Sequence, residues 1–326
     1  MAMKFGLLLP HFGEFADRDL ILEGSKLAES LDFDSVWVRD HLLFEPHGEF
    51  ESAHRDFFEP LTVLTAVGAV TERITLGTAT LIPYRHPLIT AFTLASLTHM
   101  VGPRVIAGWG AGTFDHEFEA IGMGGIFRPE LVESNARIFE KVFKEDNVSY
   151  HDDHYSFEDV SVYPKPTGDI PFWYGGATPA SARRAAEYAD GWMPGRITLK
   201  TIEKRVEKMK ELVAENGRPM PTVGVVPPTT IAETEEEAWA GTSVDGLLAW
   251  ANERGKWWVK PPSGKFETVE DIEGSLIAGT PDQVVEQTAK FEDVGVDHLV
   301  FDLRLSFDRW YDSIRLLGEQ VIPKLR

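Results

Sequence analysis

The chain has 326 residues, 43% of them hydrophobic and 26% charged, with a net charge of −20 and no cysteine. That length suits one large α/β barrel or two medium domains, and the acidity argues against nucleic acid or an anionic membrane surface as a partner. The lack of cysteine excludes disulfides, thiolate metal sites and a cysteine nucleophile. No apolar run approaches membrane-spanning length, and the first apolar stretch stops at Pro10, too soon for a signal-peptide core. A soluble cytoplasmic protein is the default expectation.

Residues 4–9 read as a first strand, ending in Pro10-His11-Phe12-Gly13. Asp17 is placed to cap the following helix, which carries Leu20, Ile21, Leu27, Ala28 and Leu31 at helical spacing. A second strand over 33–38 runs into Arg39-Asp40-His41. A polar loop to about Phe58 and a helix over 61–71 follow.

The stretch 73–112 is the most informative. Ile74-Thr75-Leu76 runs into Gly77-Thr78-Ala79-Thr80, and Val105-Ile106-Ala107 into Gly108-Trp109-Gly110-Ala111-Gly112, with a helix-length apolar segment opened by Pro87 between them. These strand ends carry almost no side-chain bulk, so a flat ligand can lie close against the backbone. In parallel α/β folds, chemistry sits at such carboxyl ends. The stretch therefore predicts a cofactor site.

Beyond Gly112, helices are expected over 114–122 and 130–143, and a β-hairpin over 148–166 with His151-Asp152-Asp153-His154 at its turn. A fifth strand over 171–174 ends in Gly175-Gly176-Ala177-Thr178, a helix follows over 180–188, and a sixth strand lies around 191–193. An amphipathic helix from Leu199 closes at Gly217 and Pro219. The seventh strand is expected over 222–232, interrupted by Pro227-Pro228. The segment 242–279 is irregular, Thr280-Pro281 opens a helix, and residues 297–303 form the eighth strand before a closing helix to about Val321. Eight buried strands alternating with helices predict one (β/α)8 TIM barrel over 1–326, with insertions near 113–166 and 242–279.

The ordered patches Phe33 to His41, Arg73 to Ala79, Gly102-Pro103-Arg104 through Gly112 with Glu117-Phe118, Pro164-Lys165-Pro166 with Trp173 to Thr178, and Asp190-Gly191-Trp192 resemble the bacterial luciferase-like flavin-dependent oxidoreductases. The resemblance spans nearly the whole chain. It implies a luciferase-like TIM barrel, usually dimeric, that binds FMN or the deazaflavin F420. Its monooxygenases take reduced FMN from a separate reductase and react it with oxygen; its F420 members move a hydride to or from a substrate.

The resemblance places a non-prolyl cis peptide at Thr78-Ala79-Thr80, beneath the flavin ring, and an active-site histidine at His41, beside Asp40. It sets Trp109, Gly110 and Gly112 beside the ring or ribityl chain. Gly175, Gly176, Ala177 and Thr178 open a helix whose bare N–H groups suit a phosphate, and the resemblance implies the same contact. Some F420-using relatives carry a glutamate just after the glycine pair, where this chain has Thr113. His11, Asp302 and Arg304 lie at strand ends facing the same mouth and are candidate substrate contacts. Trp257 and Trp258 form either an aromatic lid or a loop anchor. The His151–His154 cluster reads as a solvated turn, and no metal site is expected.

The expected function is a flavin-dependent monooxygenase using reduced FMN and oxygen on a small organic substrate, with a flavin reductase as supplier and a homodimer as the assembly. His41 and Asp40 are its catalytic candidates. The alternative is an F420-dependent oxidoreductase, for which Arg128, Arg183, Arg184 and Arg196 offer cations to a polyglutamyl tail. A non-catalytic flavin-binding protein and a metal-dependent barrel hydrolase are the remaining readings.

Overall fold

The structure, a computed structural model, describes residues 2–47 and 53–326. The expected polar loop before Phe58 is therefore seen only in part, since 48–52 lie outside the described residues. Eight parallel strands close a barrel. In chain order they are β1 (Lys4–Leu8), β2 (Ser35–Val38), β3 (Thr75–Thr78), β4 (Val105–Trp109), β5 (Phe172–Gly175), β6 (Gly191–Met193), β7 (Thr222–Val225) and β8 (His298–Phe301). Each pairs with its neighbours in sequence order and β8 closes on β1, with Lys4 opposite His298 and Leu7 opposite Phe301.

Local chemistry fixes the surrounding helices. The Asp17 carboxylate accepts from the Asp19 and Leu20 N–H groups at the start of Arg18–Ser30. Proline occupies the first turn of Pro60–Gly68, Pro87–Val101, Pro179–Tyr188 and Pro281–Asp293, where its missing donor costs nothing. Gly217 ends Leu199–Asn216 at φ 65°, a left-handed cap.

Two expectations change. The seventh strand stops at Val225, and Thr229–Ile231 instead pairs with Ile277–Gly279 in a separate two-stranded ribbon. Pro227 and Pro228 lack the N–H groups that would continue the barrel ladder. The irregular stretch 242–279 contains a helix, Val244–Arg254, and the closing helix widens into a π-turn over Leu317–Val321. The hairpin lies where it was expected, as Val148–His151 against Ser156–Val160, and Asp152 organises its turn by accepting from the backbone of His154 and Tyr155.

Packed aromatic groups fill the barrel interior. The Trp37 and Trp173 rings sit 5.3 Å apart, and the His298 ring meets both edge-on. Trp37 Nε1–H donates to Ser35 Oγ at 2.7 Å, leaving the serine hydroxyl to donate to His298 Nε2 at 2.6 Å. Burial, with Lys4 adding, pushes the His298 pKa down to about 3, so the ring stays neutral. Among the described residues, no helix is long and apolar enough to cross a membrane.

Candidate active site

At the carboxyl ends of the strands a cavity of about 500 Å³ opens. Its wall runs from Asp40 and His41, past Ala79, Thr80 and Ile82, to Gly110 and Gly112, and on to Gly175, Gly176, Thr178 and Ser181. The peptide joining Ala79 to Thr80 is cis. The small residues here leave room for Thr80 as well as for a ligand. A Cβ on Gly110 would come within 2.3 Å of Thr80 Oγ1, and one on Gly175 within 2.7 Å of Thr80 Cγ2.

His41 sits on a built support. Glu117 is 0% exposed, and its Oε1 accepts from the N–H groups of Leu42 at 2.7 Å and Leu43 at 3.1 Å. Its Oε2 lies 3.2 Å from His41 Nδ1. Burial alone would raise the Glu117 carboxyl, but the hydrogen bond and charge of His41 and the two N–H donors outweigh it and hold the group below its usual pKa. An ionised carboxylate only accepts, so Nδ1 carries the hydrogen and Nε2 is the nitrogen left for the cavity.

Asp40, its sequence neighbour, is differently engaged. Its oxygens accept from Ile82 N–H (2.9 Å), Tyr84 OH (2.6 Å) and both terminal nitrogens of Arg85 (2.6 and 3.0 Å). Burial and the Asp40 charge push the Tyr84 hydroxyl up, keeping it a donor. A carboxylate with this many partners ties the end of β2, beside His41, to the loop after β3, and it also lines the cavity.

The remaining candidates divide. Thr178 caps Pro179–Tyr188 by accepting from Ser181 N–H at 3.0 Å, and its hydroxyl lies 2.8 Å from Ser181 Oγ. Gly176 at φ 124° leaves space that a Cβ would deny to Ser181. Ala177 packs behind this turn, off the cavity wall. Thr78 bridges β3 to β4 through both polar groups of Gly108 and does not reach the cavity. The Trp109 side chain faces away from it, its ring stacked on Phe172 and tilted against Phe139.

Among the substrate candidates, Arg304 lines the cavity, its Nε–H donating to Asp302 at 2.6 Å. His11 does not: it is 0% exposed, accepts from Arg39 N–H at Nε2 and packs edge-on against Phe57. Burial, helped by the Arg39 charge, pushes its pKa down to about 3. Trp257 is 50% exposed and Trp258 is buried against Trp250 and Phe266; neither lines the cavity. The residue of that segment that does is Trp250, with the Arg196 guanidinium 4.3 Å over its ring. Trp250 and Glu117 were not singled out from sequence as site residues. Glu117 lay in view within a matching patch, but nothing in its spacing announces that it folds back onto His41.

The electrostatics oppose those of the chain as a whole. Arg39, Arg184, Arg196 and Arg304 line the cavity against Asp40 and Asp302, and each of these carboxylates already faces an arginine. Of the four arginines expected near a polyanionic tail, Arg184 and Arg196 reach the wall. Arg128 pairs with Asp115 and Arg183 with Glu187.

A parallel barrel whose strand ends open on a cavity with a histidine–glutamate pair at its mouth fits the expected luciferase-like oxidoreductase, and the comparisons supply the family. The family model described as luciferase-like monooxygenase matches residues 3–298, and the chain belongs to that family of enzymes. It is 27% identical to an F420-dependent glucose-6-phosphate dehydrogenase of Microbacterium testaceum, over 94% of this chain and 93% of that protein. It is 31% identical to a protein of the same name from Nocardia farcinica, covering 96% and 95%. The fold matches that of an F420-dependent secondary alcohol dehydrogenase in complex with an F420–acetone adduct, with a TM-score of 0.81 at 21% identity over 100% of both chains. It also matches the oxygenating constituent of 3,6-diketocamphane monooxygenase from Pseudomonas putida in complex with FMN, with a TM-score of 0.76 at 19% identity over 99% of both.

Proposed function

We propose that this chain is an F420-dependent oxidoreductase that moves a hydride between the deazaflavin and a small organic substrate. The observation that carries this reading is the arginine-lined cavity in a chain of net charge −20, which suits an anionic cofactor with a charged tail. Full-length relatives named for F420 support it, whereas the FMN monooxygenase is similar in fold alone. The expectation of reduced FMN, oxygen and a partner reductase therefore gives way to the alternative.

The residues present fit such a cofactor. Gly176, Thr178 and Ser181 at the start of Pro179–Tyr188 would hold its phosphate, with Arg184 beside them. Ala79 and Thr80 would support the ring from below. When bound, F420 supplies the hydride acceptor or donor, and the protein supplies placement and proton handling. His41, fixed through Nδ1 by Glu117, presents Nε2 to a substrate oxygen and takes or returns the proton that accompanies hydride transfer. Asp40 and Arg85 hold the loop that carries it. Thr113 leaves the position after the glycine pair without a carboxylate, so the proton chemistry rests on the pair formed by His41 and Glu117.

Anaerobic titration with F420 and, separately, with FMN tests the reading. F420 is expected to bind at least about tenfold more tightly, a difference of about 1.4 kcal/mol. Tighter binding of FMN would return the protein to oxygen chemistry.

A further inference from the structure

Two neighbouring helices on the outside of the barrel, Pro60–Gly68 and Pro87–Val101, pack side by side. Residues 60–71 and 86–101 contain no aspartate, glutamate, lysine or arginine, where a chain 26% charged would ordinarily place about seven. Their inward residues, Leu61, Leu64, Val67, Leu94 and Leu97 among them, are buried, which accounts for half of the pattern. The outward face of a barrel helix should then be charged, and here it is not.

Ile89, Phe92 and Met100 are 63%, 52% and 72% exposed. Their spacing sets them along one stripe of Pro87–Val101, with Thr93 and Ser96 between them. The neighbouring helix adds exposed Thr62, Thr65 and Ala66. By contrast, the helix Leu199–Asn216 turns Lys200, Glu203, Lys204, Glu207 and Lys208 to solvent.

The polar groups on this face are already satisfied from within. The hydroxyls of Thr65, Thr93 and Ser96 donate to the carbonyls of Leu61, Ile89 and Phe92 at 2.7, 2.9 and 2.8 Å. His99 Nε2 lies 2.8 Å from the Lys165 carbonyl oxygen. These groups can lose their water without stranding a donor.

Charge decides what covers the face. At net −20, this chain repels a second copy of itself over most of its surface. A face without ionised groups is where two copies meet free of that cost, and a two-fold axis lays the apolar stripe on its own image with no charge pairing required. A partner recognised through charge would find nothing to pair with here. The helices are about 13 and 22 Å long, so together they offer an apolar patch of roughly 350 Å². Such a patch is the core of an interface, and a polar rim completes the roughly 800 Å² per copy of a stable dimer.

We infer that the outward face of Pro60–Gly68 and Pro87–Val101 binds a second copy of this chain about a two-fold axis, with Ile89, Phe92 and Met100 at its centre. This is independent of the cofactor reading. Sedimentation equilibrium of the full chain at micromolar concentration tests it. The parent should sediment at twice the 36.5 kDa of one chain. Phe92→Glu/Met100→Glu changes two side chains that are exposed in the single chain, and it should weaken association at least about 100-fold with an unaltered circular dichroism spectrum. Trp257→Glu, at an exposed aromatic ring beside Lys256, should leave the mass at two chains. Should the double variant misfold, Ile89→Gln keeps the test open, with a loss of about tenfold expected. A parent of one-chain mass, a folded Phe92→Glu/Met100→Glu still at two chains, an Ile89→Gln that associates like the parent, or equal loss in Trp257→Glu would overturn the inference.

Discussion

The barrel interior and the barrel mouth both depend on glycine, for opposite purposes. Inside, Gly6, Gly77, Gly191 and Gly224 yield space to indole rings: a Cβ on Gly77 would fall 2.3 Å from Trp37, and one on Gly191 2.4 Å from Trp173. At the mouth, Gly110 and Gly175 yield space to Thr80 and leave a cavity open between them. The interior is closed and neutral, with a deprotonated histidine at its centre; the mouth is open and rich in arginine. A glycine at a strand end therefore does not say by itself whether a ring of the protein or a ring of a ligand lies against it. Variants that act on one region and spare the other make the distinction measurable.

The largest effect is expected at the mouth. His41→Ala should lower kcat by about 100-fold or more while changing cofactor affinity little, because the ring handles a proton and its removal leaves the phosphate cradle intact. Glu117→Gln should cost less, about tenfold, since His41 remains but loses the acceptor that fixes its tautomer. Steady-state turnover beside a cofactor titration checks both. Activity of His41→Ala within about twofold of the parent would remove the histidine from the chemistry.

Next comes overpacking of the interior. Gly77→Ala drives a methyl into the Trp37 ring, which is held on every side and hydrogen-bonded to Ser35, and should destabilise by about 3 kcal/mol. A urea midpoint measured against Gly122→Ala reads this out. Gly122 faces open space, and its cost comes only from φ 77°. A smaller loss at Gly77 than at Gly122 would mean that the interior is looser than the packing implies.

Acid should weaken the interior before it disturbs the carboxylates. His11 and His298 are both held near a pKa of about 3 in the folded chain, against 6.5 for a solvated histidine side chain. Between those values the unfolded chain binds protons that the native chain refuses, so stability falls as pH drops through 6.5 towards 3. By pH 5 each histidine should have cost about 2 kcal/mol. Urea unfolding at pH 7 and pH 5 measures the sum, and His298→Gln should remove one share of it. An unchanged free energy across that interval would show that the rings are not neutral and buried in solution.

Much of this was legible beforehand, and the gaps have physical reasons. Strand order, the hairpin and the phosphate-suited turn at 175–178 follow from local signals: apolar runs, turn residues, a capping threonine. His41 and Ala79 were reachable because matching patches carry their positions. What sequence could not give was side-chain direction across distance. Trp109 and Trp250 are both aromatic residues near expected site segments, yet one turns outward onto Phe139 and the other inward to the cavity. His11 sits at a strand end like the others, but its acceptor bond from Arg39 N–H draws it into the packing. Asp40 and Glu117 are both buried acids, and only the fold decides which meets an arginine fork and which meets the histidine. Thr78 points across the sheet to Gly108 while Ala79, one residue on, faces the cavity, the alternation that a strand end imposes.

The smallest expected effect sharpens the cofactor assignment at the mouth. Arg184 lies on the cavity wall beside the helix start, one side of its guanidinium 5.9 Å over the Phe127 ring. It also tempers the rise that burial imposes on Tyr174. Its contact with a strand runs only between side chains, to the Tyr174 hydroxyl, so Arg184→Gln should shift the urea midpoint far less than Gly77→Ala does. The affinity for F420 should fall about tenfold, and that loss should shrink as salt rises, because a guanidinium–anion contact at an open mouth is screened. If the variant loses stability and keeps its affinity, Arg184 belongs to the packing of Tyr174 and Phe127, and the cationic path for the cofactor must run through Arg196, which lines the cavity just after β6.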